Sequence, residues 1–168
     1  MSVNVLQQLS RYTTIVADTG DLAAIARLRP QDATTNPALI TAAVLQPEHR
    51  ALVADYVQQS HLLRLNNTER VEWVIDQLTV ALGLQISALI AGRVSTEVDA
   101  RLSYNTEATI AKARELMAMY QAAGVGRDRV LIKIAATWEG IQAARVLEQE
   151  GIDCNLTLLF GMRQARAC

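Results

Sequence analysis

Lysine is the residue type in this sequence whose placement most directly suggests chemistry. The chain has sixteen lysine and arginine residues, and only Lys112 and Lys133 among them are lysines. Arginine keeps its charge in proteins, whereas a lysine removed from water can lose its proton and attack a carbonyl group. Lys133 lies in the apolar run 131–135, where an unpaired ammonium would be costly. The sequence therefore predicts that Lys133 is a nucleophile that forms a Schiff base.

Two interpretations of Lys133 remain open from its position alone. As a nucleophile it would be kept neutral by burial, because desolvation disfavours the charged form of an amine. As a structural residue it would pair with Glu97 or Asp18, since buried ion pairs also occur without a catalytic role. Lys112 lies on a predicted helix beside other charged residues, and we predict a solvated surface charge there.

Polar side chains recur on every predicted strand, and most of them lie in the C-terminal half of their strand. A parallel strand buried on both faces is normally an almost continuous apolar run, so these positions need a reason. The carboxyl ends of parallel strands form the active-site face of barrels and the ligand cleft of open sheets. The pattern therefore predicts one shared polar pocket. Its candidates are Asp18 on the first strand, Thr34, Thr35 and Asn36 on the second, Ser95 and Glu97 on the third, Lys133 on the fourth, and Asn155 and Thr157 on the fifth.

The two carboxylates of this set, Asp18 and Glu97, suit proton transfer once an imine has formed. Each also has a structural alternative. Asp18 could cap the helix that follows it, and Glu97 could pair with Arg93 or Arg101.

Two asparagines and a threonine are candidates for hydrogen bonds inside the pocket. Asn36 precedes Pro37, so it could equally be a turn residue. Asn155 and Thr157 are two positions apart in a predicted strand and therefore face the same side of it. That side would be the interior of a barrel.

Short apolar runs alternate with long amphipathic stretches along the whole chain, which is the βα pattern of a parallel sheet covered by helices. We predict a helix break near residues 66–67 with Thr68 as the N-cap of the long helix that follows, and Thr137 as the N-cap of a later one. The predicted strands are 13–17, 32–35, 92–98, 130–135 and 154–160, and the predicted helices are 21–28, 37–45, 48–90 with its break, 106–123, 137–151 and 164–168.

This alternation fits either an open doubly wound sheet or part of an eight-stranded barrel. No glycine-rich phosphate loop follows the first strand, which disfavours a nucleotide-binding fold. We expect residues 1–168 to form one domain.

Composition argues against several classes of partner. A formal net charge of −1 gives no basic field for nucleic acid or an acidic membrane surface. Residues 1–11 carry polar side chains where a signal peptide would be apolar, and no run is long enough to span a membrane, so we expect a cytoplasmic protein. The two cysteines and two histidines show no metal-ligand spacing, and we expect no metal site.

Five segments in order resemble the motifs of bacterial transaldolases. Together they extend from one end of the chain to the other, which is more specific than any one of them. They are VADTGD at 16–21, DATTNP at 32–37, GRVSTEVDAR at 92–101, IKIA at 132–135 with TWEG at 137–140, and NLTLLF at 155–160.

The resemblance implies a (β/α)8 barrel and transfer of a dihydroxyacetone unit from sedoheptulose 7-phosphate to glyceraldehyde 3-phosphate in the pentose phosphate pathway, without a metal or organic cofactor. It implies that Lys133 is the Schiff-base nucleophile and Asp18 the acid/base. By the same resemblance, Glu97 and Thr157 hold the reacting water. It also implies that Thr34, Asn36 and Asn155 bind the donor substrate. Glu97 and the extra helix within 48–90 favour transaldolase over the related fructose 6-phosphate aldolases.

The chain differs from transaldolases of this type in its length. We expect about the first five β/α units of the barrel, truncated before strands six to eight, without the serine and arginines that bind the substrate phosphate. A truncated remnant with little or no activity is therefore the alternative function, and a half barrel re-used as an interaction module is a third. The full-length protein could form a homodimer.

Overall fold

The computed structural model describes residues 4–168. Within them the strands are β1 (Val16–Asp18), β2 (Asp32–Thr34), β3 (Val94–Glu97), β4 (Val130–Ala135) and β5 (Cys154–Thr157). The α-helices are α1 (Val5–Leu9), α2 (Leu22–Leu28), α3 (Pro37–Val44), α4 (Arg50–Ser60), α5 (Asn67–Leu89), α6 (Thr106–Ala122), α7 (Trp138–Gln149) and α8 (Met162–Ala167). The predicted βα alternation is thus confirmed.

The strands form one parallel sheet whose spatial order, β1-β2-β3-β4-β5, is the order of the chain. A doubly wound sheet reverses its strand order at a switch point and puts helices on both faces, and neither occurs here. Successive right-handed crossovers in one direction place every connecting helix on the same face. The fold is therefore a half-barrel of five strands with helices between them, and the doubly wound alternative is excluded.

The main core lies between the outer face of the sheet and the helices. Strand residues Ala33, Val94 and Ile132 pack in one buried cluster with Ile86 of α5 and Leu116 of α6. Because side chains alternate along a strand, the residues between these point to the inner face of the half-barrel. That inner face carries most of the polar strand positions singled out in the sequence. Thr35 is not among them, because it alternates with Thr34, is 1% exposed and donates its hydroxyl hydrogen bond to the Ser95 carbonyl.

Helix α5 begins at a capping box two residues earlier than predicted. Asn66 accepts a hydrogen bond from the Glu69 amide at 3.0 Å, and its own amide donates to the Glu69 carboxylate at 2.8 Å. The predicted cap at Thr68 is wrong because the reciprocal pair satisfies two backbone donors, one more than a lone hydroxyl can.

The far end of α5 is held by a side chain from another element. The Arg129 guanidinium donates to the carbonyl oxygens of Ser87, Ile90 and Gly92 at 3.0, 2.9 and 2.7 Å. The last carbonyls of a helix lack partners within the helix, and a cation there also interacts favourably with the helix dipole. Arg129 thereby joins the start of β4 to the loop that enters β3.

Helices α5 and α6 pack closely because Gly83 has no side chain. A Cβ atom at position 83 would lie 1.7 Å from the Tyr120 hydroxyl oxygen. Tyr120 is completely buried and shares a hydrogen bond of 2.6 Å with the Thr96 hydroxyl of β3. Burial raises the pKa of Tyr120 to about 12, so it stays neutral.

The remaining differences from prediction lie at element ends. Strand β1 starts at Val16 and extends to Asp18, and β5 ends at Thr157 because Leu158 adopts a left-handed conformation with φ of 62°. The short helix α1 was not predicted. Thr137 does cap α7, accepting from the Gly140 amide at 2.9 Å. In residues 4–168 no helix combines the length and apolar character needed to cross a membrane.

Candidate active site

Three candidate residues stand side by side on the inner face of the half-barrel. The β3–β4 register pairs Glu97 with Lys133, and the β4–β5 register pairs Lys133 with Asn155. Residues paired across parallel strands point to the same face. A carboxylate, an amine and an amide are thus placed in one row.

Lys133 is buried, with 9% of its surface exposed. Its Nζ lies 3.3 Å from Oε2 of Glu97 and donates a hydrogen bond to the Thr35 backbone carbonyl at 3.2 Å. The predicted burial is confirmed, and so is the pairing with Glu97 that the structural interpretation required. The same contact also places a proton acceptor within reach of the amine.

Asp18 ends β1 and pairs with Thr34, which in turn pairs with Ser95. Ser95 lies two residues before Glu97, the partner of Lys133. Asp18 is therefore on the same face of the sheet as Lys133, one row of side chains below it. The Thr34 hydroxyl donates to Oδ1 of Asp18 at 2.7 Å. The alternative role of Asp18 as a helix cap is wrong, because Asp21 caps α2 by accepting from the Ala24 amide at 2.9 Å.

Ser95 links the two rows. It is buried, and its hydroxyl accepts a hydrogen bond from Nδ2 of Asn155 at 3.0 Å. The sequence placed Ser95 among the polar strand positions without giving it a role. The signal for one was its position two residues before Glu97, which puts both side chains on the same face.

Asn36 and Thr157 lie at the carboxyl ends of β2 and β5. Asn36 caps α3, accepting from the Leu39 amide at 2.9 Å through Oδ1, which is a structural role other than the turn residue considered from the sequence. This bond leaves the amide NH2 group as a donor. Thr157 lies two residues beyond Asn155, as predicted, and is therefore on the same face.

The arginines that could have paired with Glu97 have other partners. Arg93 contacts Asp153 at 3.0 Å. Arg101 contacts Asp99 at 2.6 Å and Glu72 at 3.3 Å. The hydrogen bond from Arg101 lowers the pKa of Asp99 below its usual range. Lys133 is consequently the cation that contacts Glu97.

Lys112 is not the solvated surface charge that we predicted. Its Nζ lies 2.5 Å from Asp76 on α5 and 2.6 Å from Glu115 on α6, and only 21% of its side chain is exposed. Burial raises the pKa of Asp76, although Lys112 opposes that shift. Desolvation by itself would lower the pKa of Lys112, but the two carboxylates outweigh it and raise that pKa.

Ligands for a metal are not assembled in the described part of the chain. In residues 4–168, histidine, cysteine and acidic side chains nowhere form a group of three suited to a metal ion. What the inner face does offer is a buried amine beside a carboxylate, with amide and hydroxyl groups around them.

A family model described as Transaldolase/Fructose-6-phosphate aldolase matches residues 15–168. The chain belongs to this family. Its relatives include proteins named transaldolase from Nostoc punctiforme, 59% identical, Thermosynechococcus vestitus, 60% identical, and Methylococcus capsulatus, 56% identical.

The transaldolase relatives are longer than this chain. The three alignments cover 100%, 99% and 100% of the chain but only 51%, 43% and 52% of the respective relatives. The chain thus spans about half the length of the relatives it matches. The half-barrel of five strands, in a chain half as long as its relatives, agrees with a (β/α)8 barrel truncated before strands six to eight.

Proposed function

We propose that the protein is a transaldolase that transfers a dihydroxyacetone unit from a ketose phosphate to an aldehyde through a Schiff base on Lys133. Sedoheptulose 7-phosphate would be the donor and glyceraldehyde 3-phosphate the acceptor, in the pentose phosphate pathway. The observation that carries the proposal is the buried Lys133 amine in contact with Glu97, in a chain of the transaldolase family.

The reaction begins at the amine. Neutral Nζ of Lys133 adds to the C2 carbonyl of the donor, and the resulting carbinolamine loses water to give an iminium ion. The iminium withdraws electrons from C3, and Asp18 removes the proton of the C4 hydroxyl. The C3–C4 bond then breaks, the aldehyde product leaves, and a three-carbon enamine stays on Lys133.

The second half reverses these steps with a new aldehyde. The enamine carbon attacks the acceptor carbonyl, Asp18 returns the proton to the new alkoxide, and water hydrolyses the imine to release the product. Glu97 and Thr157 would hold this water, since a carboxylate can take its proton. Hydrogen bonds to the donor hydroxyls would come from Thr34, Asn36 and Asn155.

The two lysines make a direct test possible. Residues 1–168 would be produced alone and as a chimera continued by the remaining half of the Nostoc punctiforme relative, then treated with fructose 6-phosphate and borohydride. Peptide mapping of the chimera should place one adduct on Lys133. Lys112, which is also paired with carboxylates, is the internal control. An adduct on Lys112 with none on Lys133 rejects the assignment.

A second candidate function, little or no turnover by the 168-residue polypeptide alone, is supported by the open inner face. Asp18, at its edge, is exposed, and Phe160 beyond β5 is 88% exposed. An active site of this kind works best when water is excluded from it. A turnover assay of the isolated chain beside the chimera distinguishes the two candidates.

A further inference from the structure

The two cysteines of the chain line one cavity on the outer side of the half-barrel. The cavity has a volume of about 670 Å³ and lies between α7, β5 and the end of α8. Cys154 is the first residue of β5, and Cys168 directly follows the last residue of α8. Both are free thiols, the first half-buried and the second exposed. The fold thus brings together two thiols that are fourteen residues apart in the chain.

Strand alternation turns Cys154 away from the proposed active site. Its neighbour Asn155 faces the inner side of the half-barrel, so Cys154 faces the outer side, where the helices lie. It packs against the main core, and its thiol donates a hydrogen bond to the Ile152 carbonyl at 3.5 Å. The sheet therefore holds this cysteine in a fixed place at one wall of the cavity.

Gln164 determines which face of α8 is turned toward the sheet. Its amide group donates to the carbonyl oxygens of Ala136 and Leu158, both at 2.8 Å, and its carbonyl oxygen accepts from the Phe160 amide at 3.0 Å. Cys168 lies four residues later, and its backbone amide donates to the Gln164 carbonyl at 3.2 Å. Residues four apart share a face of a helix. Cys168 is therefore turned toward the cavity, as its place in the cavity wall also shows.

We propose that Cys154 and Cys168 form a reversible disulfide by exchange with a small disulfide such as oxidised glutathione. The Cys168 thiolate attacks one sulfur of the oxidant, which gives a mixed disulfide and one released thiol. The Cys154 thiolate then attacks the Cys168 sulfur, and the second glutathione leaves. The two cysteine protons end on the two released thiols, and the two electrons lost by the cysteines reduce the sulfur–sulfur bond of the oxidant.

The surroundings of Cys154 determine the order of these steps. Burial, together with the carboxylates of Glu148 and Asp153, raises the pKa of Cys154 to about 12. Only a thiolate attacks a disulfide, so Cys154 seldom reacts with an oxidant from solution, whereas Cys168 is exposed to it. A mixed disulfide on Cys168 lies in the same cavity as Cys154, where the high local concentration favours the second step. Disulfides need Cα atoms about 4.4–6.8 Å apart, so the bond fixes the end of α8 close to β5.

Mass spectrometry of the reduced 168-residue chain tests the proposal. The chain is incubated with oxidised glutathione at pH 8, and remaining thiols are blocked with N-ethylmaleimide. We expect an intact mass lower by two hydrogens, with neither glutathione nor the blocking reagent attached. Trypsin cuts after Arg163 and Arg166, between the two cysteines, so the disulfide should appear as a linked pair of peptides. Dithiothreitol should restore both thiols.

Cysteine variants check the order of the steps. Cys154→Ser should stop at the mixed disulfide on Cys168, because no second thiol is present to displace glutathione. Cys168→Ser should stay largely unmodified over the same time. A chain that keeps glutathione on Cys168 when Cys154 is present would overturn the proposal. A chain that is not oxidised at all, or that forms only disulfide-linked dimers, would overturn it as well.

A variant of α8 checks that the fold, and not chance encounter, brings the thiols together. Gln164→Leu removes the hydrogen bonds that hold α8, and we expect the second step to slow about tenfold or more, because the local concentration of one thiol at the other falls. Arg163→Leu changes an exposed neighbour and should leave both steps unchanged. Equal rates in the two variants would contradict the geometry. Neither cysteine is on the inner face, so this disulfide and the Schiff base can fail independently.

Discussion

The two contacts of Lys133 differ in what they do for the amine. The Thr35 carbonyl can only accept a hydrogen bond, so it positions Nζ, whereas the Glu97 carboxylate can also take and return a proton. A purely structural ion pair would need only the charge of Glu97. A catalytic pair needs its proton exchange as well.

Replacing Glu97 with glutamine separates these roles, because the amide keeps the shape and can hydrogen-bond but cannot exchange a proton at neutral pH. We expect borohydride trapping on Lys133 in the chimera to slow by about 10²-fold or more, the usual contribution of a general acid/base. Glu115→Gln, which alters a partner of Lys112 instead, should leave the rate unchanged. The measurement is adduct formation over time by mass spectrometry, and equal rates in both variants would contradict the role given to Glu97.

The Lys112–Asp76 pair contributes to stability rather than to the proposed chemistry. Lys112→Met leaves the half-buried Asp76 carboxylate without its cation, and we expect the free energy of unfolding at pH 7 to fall by about 1–3 kcal/mol. The matched change Arg114→Met breaks a more exposed pair with Glu150 and should lower the free energy of unfolding much less, because solvent screens exposed ion pairs.

The pH dependence of this loss has a definite sign. Burial raises the pKa of Asp76 in the folded protein, so its ionisation is unfavourable there and stability falls as pH rises through the range between its unfolded and folded pKa. The deficit of Lys112→Met should therefore be larger at pH 7 than at pH 4. Urea unfolding at both pH values measures it, and a deficit that grows toward acid would rule this explanation out.

At the scale of elements, α5 contacts much of the half-barrel. It packs on α2, α3, α4, α6 and β3, and its two ends are held by quite different means. The start is held locally by Asn66 and Glu69. The end is held by Arg129, forty residues later than Leu89.

Removing the Arg129 guanidinium should loosen the end of α5. Arg129→Met eliminates three hydrogen bonds to backbone carbonyls, and we expect a loss of about 2–4 kcal/mol in the free energy of unfolding. Arg127→Met, which removes one exposed bond to the Glu150 carbonyl, is the control. Hydrogen exchange should speed up at residues 86–90 in the first variant only, and unchanged exchange there would refute the capping role.

The contact between α5 and α6 has no room for a methyl group at position 83. Gly83→Ala must displace the buried Tyr120 ring or its hydroxyl, and overpacking of this kind costs about 1–3 kcal/mol. Gly161→Ala is the control, because a Cβ there meets no atom within 4 Å. Thermal unfolding of both variants gives the comparison, and an unshifted melting temperature for Gly83→Ala would show that the helices can separate freely.

At the scale of the whole molecule, the sheet has a protected outer face and an open inner one. The outer face is covered by helices, while β1 and β5 are the edges of the sheet. Large apolar side chains are exposed near both edges, with Val16 at 48% and Phe160 at 88%. An interaction module that buries this surface therefore stays a prediction, as do a homodimer and a single domain over residues 1–168.

Turnover measures the consequence of the open face. The 168-residue chain should convert fructose 6-phosphate and erythrose 4-phosphate slowly or not at all, because oriented binding of the substrate supplies on the order of 7–11 kcal/mol in fully oriented reactions. Lys133→Ala gives the background rate, and the chimera is the positive control. Turnover by the isolated chain equal to that of the chimera, and abolished by Lys133→Ala, would show that the half-barrel is sufficient.

The sequence by itself determined the features that depend on short stretches of chain. Alternation of apolar runs and amphipathic stretches specified the strands and helices, and the cost of burying an amine singled out Lys133. Thr137 was identifiable as a cap because it immediately precedes the amphipathic run that it caps. The nine polar candidates at the strands were found in the same way.

Only the tertiary structure decided which groups meet. Strand register pairs Glu97 with Lys133 and leaves Arg93 and Arg101 to other carboxylates. The sequential strand order distinguishes a half-barrel from a doubly wound sheet, although both have the same alternation. We expected Lys112 to be a surface charge, but because α5 packs against α6 it forms a half-buried ion pair with Asp76. Each outcome depends on contacts between residues that lie far apart in the chain, and the local periodicity of a sequence carries no information about those distances.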